Sequence, residues 1–295
     1  MTTALQHWVG MLREIKLPVL AHTANELTVL QQAGDAATPK RISQVVLHDP
    51  LMTVQVLQYL QQHRSRHRTA DITTIAHALM MLGTTPFFAH FVGHSTIEAR
   101  LSGAGNALDG LRKVMSRARH AALYAQDWAQ RRHDVDPQEI MIAALLHDIA
   151  EMMLWCYAPA LALEIAGTQQ LDRTLRSEDV QRDVIGFRLL DLQLELIAAW
   201  QLPALLRNLM DETRMQNPRV QIVARAAALA RHSAHGWDNL ALPYDYERIS
   251  ELLNISCDEA AERVAAVARE ADADWTWYGV PPLERKPVAE AANFF

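Results

Sequence analysis

Residues 143–155 read AALLHDIAEMMLW, and the rest of the chain is organised around that run. Only His147, Asp148 and Glu151 interrupt its apolar character, so the pattern predicts a helix buried on several sides. An imidazole and a carboxylate are costly to bury unless they are paired, hydrogen-bonded or bound to a metal. Neighbouring side chains on a helix project about 100° apart. His147 and Asp148 are therefore placed either to converge on one ion or to pair with neighbouring helix ends.

Composition narrows the classes of function. The chain has 295 residues, enough for one large domain or two small ones with a real core. Half the residues are apolar and 21% are charged, an ordinary globular balance. A net charge of −6 gives no general attraction to nucleic acid or to an anionic membrane surface. Cys156 and Cys257 are distant and form no CxxC, which fits a reducing compartment rather than a disulfide framework. Residues 1–18 lack a basic region followed by an apolar core, so no signal peptide is expected. No run is expected to reach the roughly 18 apolar residues of a membrane span. The expected location is the cytoplasm, without membrane association.

Helix starts are written into the caps. A first helix over 4–15 ends at Leu17-Pro18, and Thr23 with Glu26 has the spacing of a capping box. Thr38-Pro39, Asp49-Pro50, Thr85-Pro86, Asp136-Pro137 and Asn217-Pro218 each set a proline where its missing N–H costs nothing. Each polar cap contributes about 1 kcal/mol. A long helix over about 111–132 carries His120, and another runs from Ser177, with a break near Gly186, to Trp200. Ser256 and Glu259 open a last helix to about Ala271. Residues 101–110, LSGAGNALDG, form the candidate linker. The expected division is 1–103, 107–235, and 236–295 with its aromatic, proline-rich tail. No alternating strand and no fixed-period repeat is visible, so the fold class is all-α.

Five segments in order resemble the HDOD family, the HD-related output domains of bacterial signalling. They are Leu17-Pro18, HDPLMTVQVLQYL at 48–60, ITTIAHALMMLG at 72–83, ALLHDIAEMML at 144–154, and Gly186 followed by Trp200-Gln-Leu-Pro203. The resemblance covers roughly residues 10–235. It implies an N-terminal helical subdomain followed by an HD-like helical subdomain. Catalytic HD phosphohydrolases hold metals with a histidine on an earlier helix, the His-Asp pair and a late aspartate. On that pattern His120 takes the first place and His147 and Asp148 supply the pair, but Ala227 stands where the late aspartate belongs. Leu189 replaces a histidine common in relatives, and Asp211, Glu212 and Thr213 occupy the region of a frequent double histidine. Gln61 replaces an asparagine, and Ala150 the glycine of HDIG.

A hydrolytic metal must be held firmly by several imidazoles and carboxylates, and losing even an outer partner costs about 10–100-fold. The resemblance with these departures implies no catalytic residues, no cofactor and no bound metal. Any metal that did bind would use His120, His147 and Asp148; otherwise the three form a buried polar cluster that pins helices together. No GxSxG, phosphate-cradling glycine loop or Cys–His pair offers another chemistry. The expected function is a non-catalytic signalling module that binds a protein partner, or a nucleotide. The alternative is an atypical metal-dependent phosphohydrolase using the same three residues.

Three other features are read against blander accounts. HRSRHR at 63–68 suits a helix end, where cations complement the dipole; nucleic-acid contact is disfavoured by the acidic balance. His90 and His94 share a helix face but lack an acidic third ligand, so a satisfied or exposed pair is expected. Trp275, Trp277, Tyr278 and Phe294-Phe295 are interaction candidates. Pro281, Pro282 and Pro287 favour an extended path, so 275–283 is expected to cross a groove anchored by Trp275 and Trp277.

Overall fold

The structure, a computed structural model, describes residues 3–63, 73–132, 135–172 and 174–283. The first part of the chain forms α1 (Ala4–Arg13), α2 (Ala21–Gln32), α3 (Pro39–Val46), α4 (Pro50–Gln62), α5 (Ile75–Leu82), α6 (Thr84–Phe91) and α7 (Ile97–Arg100). Then come α8 (Gly105–Gln130), α9 (Pro137–Leu145), α10 (Ile149–Tyr157), α11 (Pro159–Leu171), α12 (Ser177–Ile185) and α13 (Leu189–Ala199). The last are α14 (Ala204–Met210), α15 (Pro218–Ser233), α16 (Leu242–Leu253), α17 (Cys257–Ala273) and α18 (Trp275–Tyr278). Among the described residues no strand forms; a single parallel bridge joins Val19 and Thr96.

Cap chemistry sets most of these boundaries. Side chains of Thr38, Asp49, Asp136, Asn217 and Ser256 accept backbone N–H groups at the starts of α3, α4, α9, α15 and α17. Gly186 ends α12 in the left-handed region at φ 84°. Four local expectations are corrected. Thr23 caps nothing: α2 starts two residues earlier, and Thr23 is buried within it. The proposed linker is mostly helix, because α8 begins at Gly105 and its small residues permit close packing. Residues 236–244, expected from the sequence to be a loop, give way at Leu242 to α16, which Asn254 ends in the left-handed region.

The fourth correction concerns the central run, which is two helices rather than one. α9 stops at Leu145, His147 N donates to Ala144 O at 3.3 Å, and Asp148 leaves helical geometry at φ −106° and ψ 24°. No proline or glycine marks that break. The stretch Pro137–Tyr157 does pass for a membrane span by length and composition, with a mean hydropathy of 1.4. However, 83% of that apolar window is buried inside the protein, as befits core helices.

Two compact units emerge, residues 1–115 with 148–208, and residues 116–147 with 209–295. In the first, α3 packs on α2, α4 and α5, while α10 packs on α11 and α13. α1 lies on α13, where Trp200 Nε1 donates to Leu12 O at 3.2 Å. In the second, α15 packs on α9 and α16, and α16 on α17. This grouping differs from a division into 1–103, 107–235 and 236–295. In the second unit ion pairs tie α17 and its C-cap to α8: Arg263 makes two bonds to Asp127, at 2.6 and 2.8 Å, and Arg119 one to Asp274 at 2.9 Å.

Candidate functional site

His120 projects from α8, and both of its ring nitrogens are engaged. Nδ1 meets Ser116 O at 2.9 Å and Nε2 meets Asp272 Oδ1 at 3.1 Å. Both ring nitrogens thus face protein acceptors.

His147 sits at the joint between α9 and α10, 7% exposed. Its Nε2 lies 3.6 Å from Glu212 Oε1. Glu212 belongs to a short turn built by its neighbours: Asp211 Oδ1 accepts Thr213 N at 3.1 Å and Thr213 Oγ1 at 2.6 Å. The residues standing where relatives often carry two histidines thus form a capped turn that presents a carboxylate to His147.

Asp148 is half-buried at the N-cap position of α10, where its carbonyl accepts Met152 N at 3.1 Å. Two residues on, Ala150 N donates to Gln193 Oε1 at 2.9 Å, with both residues buried. Glu151 is half-buried on α10. Leu189 is buried at the start of α13, its N–H donating to Gln181 Oε1 at 2.8 Å. Ala227 is buried on α15 and offers only a methyl group.

The residues present do not fit the metal that an HD site would carry. His120 is committed to Ser116 and Asp272, His147 lies 3.6 Å from the Glu212 carboxylate, and Ala227 brings no ligand atom. Among the described residues no three His, Cys, Asp or Glu side chains are grouped to hold an ion. Within the second unit His120 and His147 face different carboxylates, Asp272 and Glu212.

A family model described as the HDOD domain matches residues 17–215. The chain belongs to the HDOD family.

Solved structures agree on the fold. A response regulator, MmoQ from Methylococcus capsulatus str. Bath, superposes with a TM-score of 0.61 at 20% identity, covering 85% of this chain and 98% of its own. A virulence factor from Campylobacter jejuni subsp. jejuni superposes with a TM-score of 0.65 at 14% identity, covering 91% of this chain and 96% of its own. A search of curated proteins found no match.

Several residues of this HDOD chain matter structurally in ways its sequence did not announce. Asp49, read as a simple cap, is fully buried. Its carboxylate accepts Leu20 N at 2.7 Å, Leu51 N at 3.0 Å and Met52 N at 3.1 Å, binding the start of α2 to the start of α4. Burial pushes its pKa up to about 6 despite those donors. No local pattern announces Asp272, Asp274, Asp127 and Arg263, because their partners lie 136–155 residues away. Their charges were visible in the sequence, but the pairing was not.

His90 and His94 form no metal pair: His94 Nε2 meets His90 O at 3.0 Å. Burial, with the nearby charges of His63 and Lys16, lowers the His90 pKa; burial, then Lys16, lowers that of His94. In the basic patch His63 Nδ1 bonds Tyr59 O at 2.7 Å, and 64–68 lie outside the described residues.

The tail departs from its expected path. Trp275–Tyr278 is a helical turn ended by Gly279 at φ 66°. Tyr278 is buried at 2% and Trp275 is 43% exposed, with Trp277 intermediate, so the anchor is Tyr278. Pro281 and Pro282 restrict only the residues beyond the turn. Pro287 and Phe294-Phe295 lie outside the described residues.

Proposed function

We propose that this HDOD protein is a non-catalytic signal-transduction module that acts by binding another protein. The observation that carries this is the engagement of the residual HD-type side chains. His120 is bonded at both nitrogens, His147 is turned to Glu212, and Ala227 supplies no ligand. A phosphohydrolase needs a metal that lowers the pKa of bound water and clamps phosphoryl oxygens. Here the equivalent side chains serve packing between helices of the second unit. The family's place in bacterial signalling supports the regulatory role, and the description of MmoQ as a response regulator agrees with it.

The test is turnover. The full-length protein, supplied with manganese, iron(II) or magnesium, is assayed on p-nitrophenyl phosphate, bis-p-nitrophenyl phosphate and cyclic dinucleotides. The proposal expects rates equal to the metal-only blanks. Metal-dependent turnover that disappears in His147→Ala while the fold persists overturns it in favour of a phosphohydrolase.

A further inference from the structure

A cleft of about 580 Å³ opens in the first unit. Its walls include Lys16, Ser95, Arg100, Cys156, Tyr157 and Pro159, and no carboxylate is among them. The volume falls within the range of about 300–1,000 Å³ typical of small-molecule sites.

Arg100 is held in this wall by neutral groups. Its Nε donates to Cys156 O at 2.9 Å, and its guanidinium carbon lies 3.8 Å from the Tyr157 ring centroid. One N–H and one face are therefore occupied, while the terminal Nη pair bonds no described residue. Glu98, two positions earlier on α7, does not neutralise it. Glu98 gives one oxygen to Arg112 at 3.0 Å and the other to Ala21 N at 2.9 Å. Elsewhere arginines of this chain meet carboxylates, as Arg188 meets Asp191 and Arg263 meets Asp127. Arg100 presents an oriented fork of donors with nothing opposite it. Lys16, likewise in no ion pair with a described residue, adds a second positive charge to the same cleft.

Other groups in the wall stay neutral. Burial pushes the Cys156 thiol up to about 12 and the Tyr157 hydroxyl up to about 12. The sulfur is therefore no nucleophile, and the phenol remains a neutral donor, reaching Lys16 O at 3.4 Å.

We propose that this cleft binds a phosphorylated small molecule, its phosphoryl oxygens taking the paired Nη donors of Arg100 while the Lys16 ammonium offsets the second negative charge. A planar guanidinium matches two phosphoryl oxygens at once, which an ammonium cannot do. Two uncompensated cations match the double charge of a phosphate monoester better than a carboxylate. The site uses none of His120, His147 and Asp148, so it stands whether or not the non-catalytic reading holds.

Isothermal titration of the full-length protein at constant ionic strength tests it, with inorganic phosphate, pyrophosphate, AMP and, as the carboxylate control, acetate. Saturable one-to-one binding of at least one phosphorylated probe is expected, with acetate much weaker. Equal affinity for phosphate and AMP identifies the bare phosphoryl group as the ligand chemistry; tighter AMP shows that the rest of the cleft also contributes. Arg100→Gln should weaken binding about 10- to 100-fold, and Arg100→Lys, which keeps charge without the fork, less. Because Arg100 also anchors Cys156 O, Lys16→Gln is the second variant: it should weaken binding without moving the melting temperature. No saturable binding up to about 10 mM, acetate binding as tightly, or affinity unchanged in both Arg100→Gln and Lys16→Gln overturns the proposal.

Discussion

Gly110→Ala tests the packing of the first unit most sharply, because helix propensity and packing predict opposite signs. Gly110 lies within α8, where alanine should be favoured over glycine by about 1 kcal/mol. Yet a Cβ added there would sit 2.4 Å from Trp155 Cη2, 2.5 Å from Cζ3 and 2.8 Å from Cζ2. Two carbons prefer about 3.5–4.0 Å, so the indole must retreat by roughly 1 Å. Trp155 is 6% exposed, so it has little free volume to retreat into. Overpacking of this kind costs about 1–3 kcal/mol. With three ring carbons in the way the upper part of that range applies, and the net loss after the propensity gain is about 1–2 kcal/mol. In a chain of this size that lowers Tm by a few degrees, at about 2–4 °C per kcal/mol. The control is Gly167→Ala in α11, where an added Cβ meets nothing within 4 Å; it should gain up to about 1 kcal/mol. Urea and thermal denaturation of both variants measure the contrast. A Gly110→Ala protein as stable as the parent, or more so, refutes the reasoning.

Burial and pairing give three more expected outcomes. Asp49 has its pKa raised from 3.8 to about 6, so the folded state holds the proton more tightly than the unfolded chain. That contribution is fully present below the unfolded value and is lost as pH rises through the folded one, a span of about 3 kcal/mol. The stability difference between the parent and Asp49→Asn should therefore shrink as pH rises from about 4 to about 6.5; denaturant melts that show it growing contradict the assignment. Tyr278→Ala should cost about 3 kcal/mol or more, as loss of a buried aromatic does, whereas Trp275→Ala should stay within about 0.5 kcal/mol. Equal effects by urea denaturation would return the anchor to the tryptophans. His147→Ala should destabilise by about 1–3 kcal/mol, and an unchanged denaturation midpoint counts against a structural role.

How much of the fold was legible in the sequence depends on how local each determinant is. Caps act over two or three residues, so Asp136-Pro137 and Asn217-Pro218 located α9 and α15 directly. The break at 146–148 carries no proline or glycine, and Asp148, which stands at the N-cap of α10 without a side-chain cap bond, is a weak mark inside an otherwise apolar run. The candidate site divided along the same line. That residue 227 is an alanine, with no ligand atom to offer, is a matter of identity and is legible in the sequence. His120 bonds Asp272 and His147 faces Glu212, 152 and 65 positions further on, and no local pattern specifies such pairs. The path of the tail is not legible from Pro281 and Pro282, which restrict residues beyond the single helical turn that buries Tyr278.

The central claim is that the HD-type residues of this chain are structural rather than metal-holding. The most direct measurement is elemental analysis of full-length protein purified without chelator or metal-affinity resin, run beside His147→Ala. The account predicts well under one equivalent of iron, manganese or zinc in both proteins. About one equivalent or more in the parent, lost in His147→Ala, would contradict it.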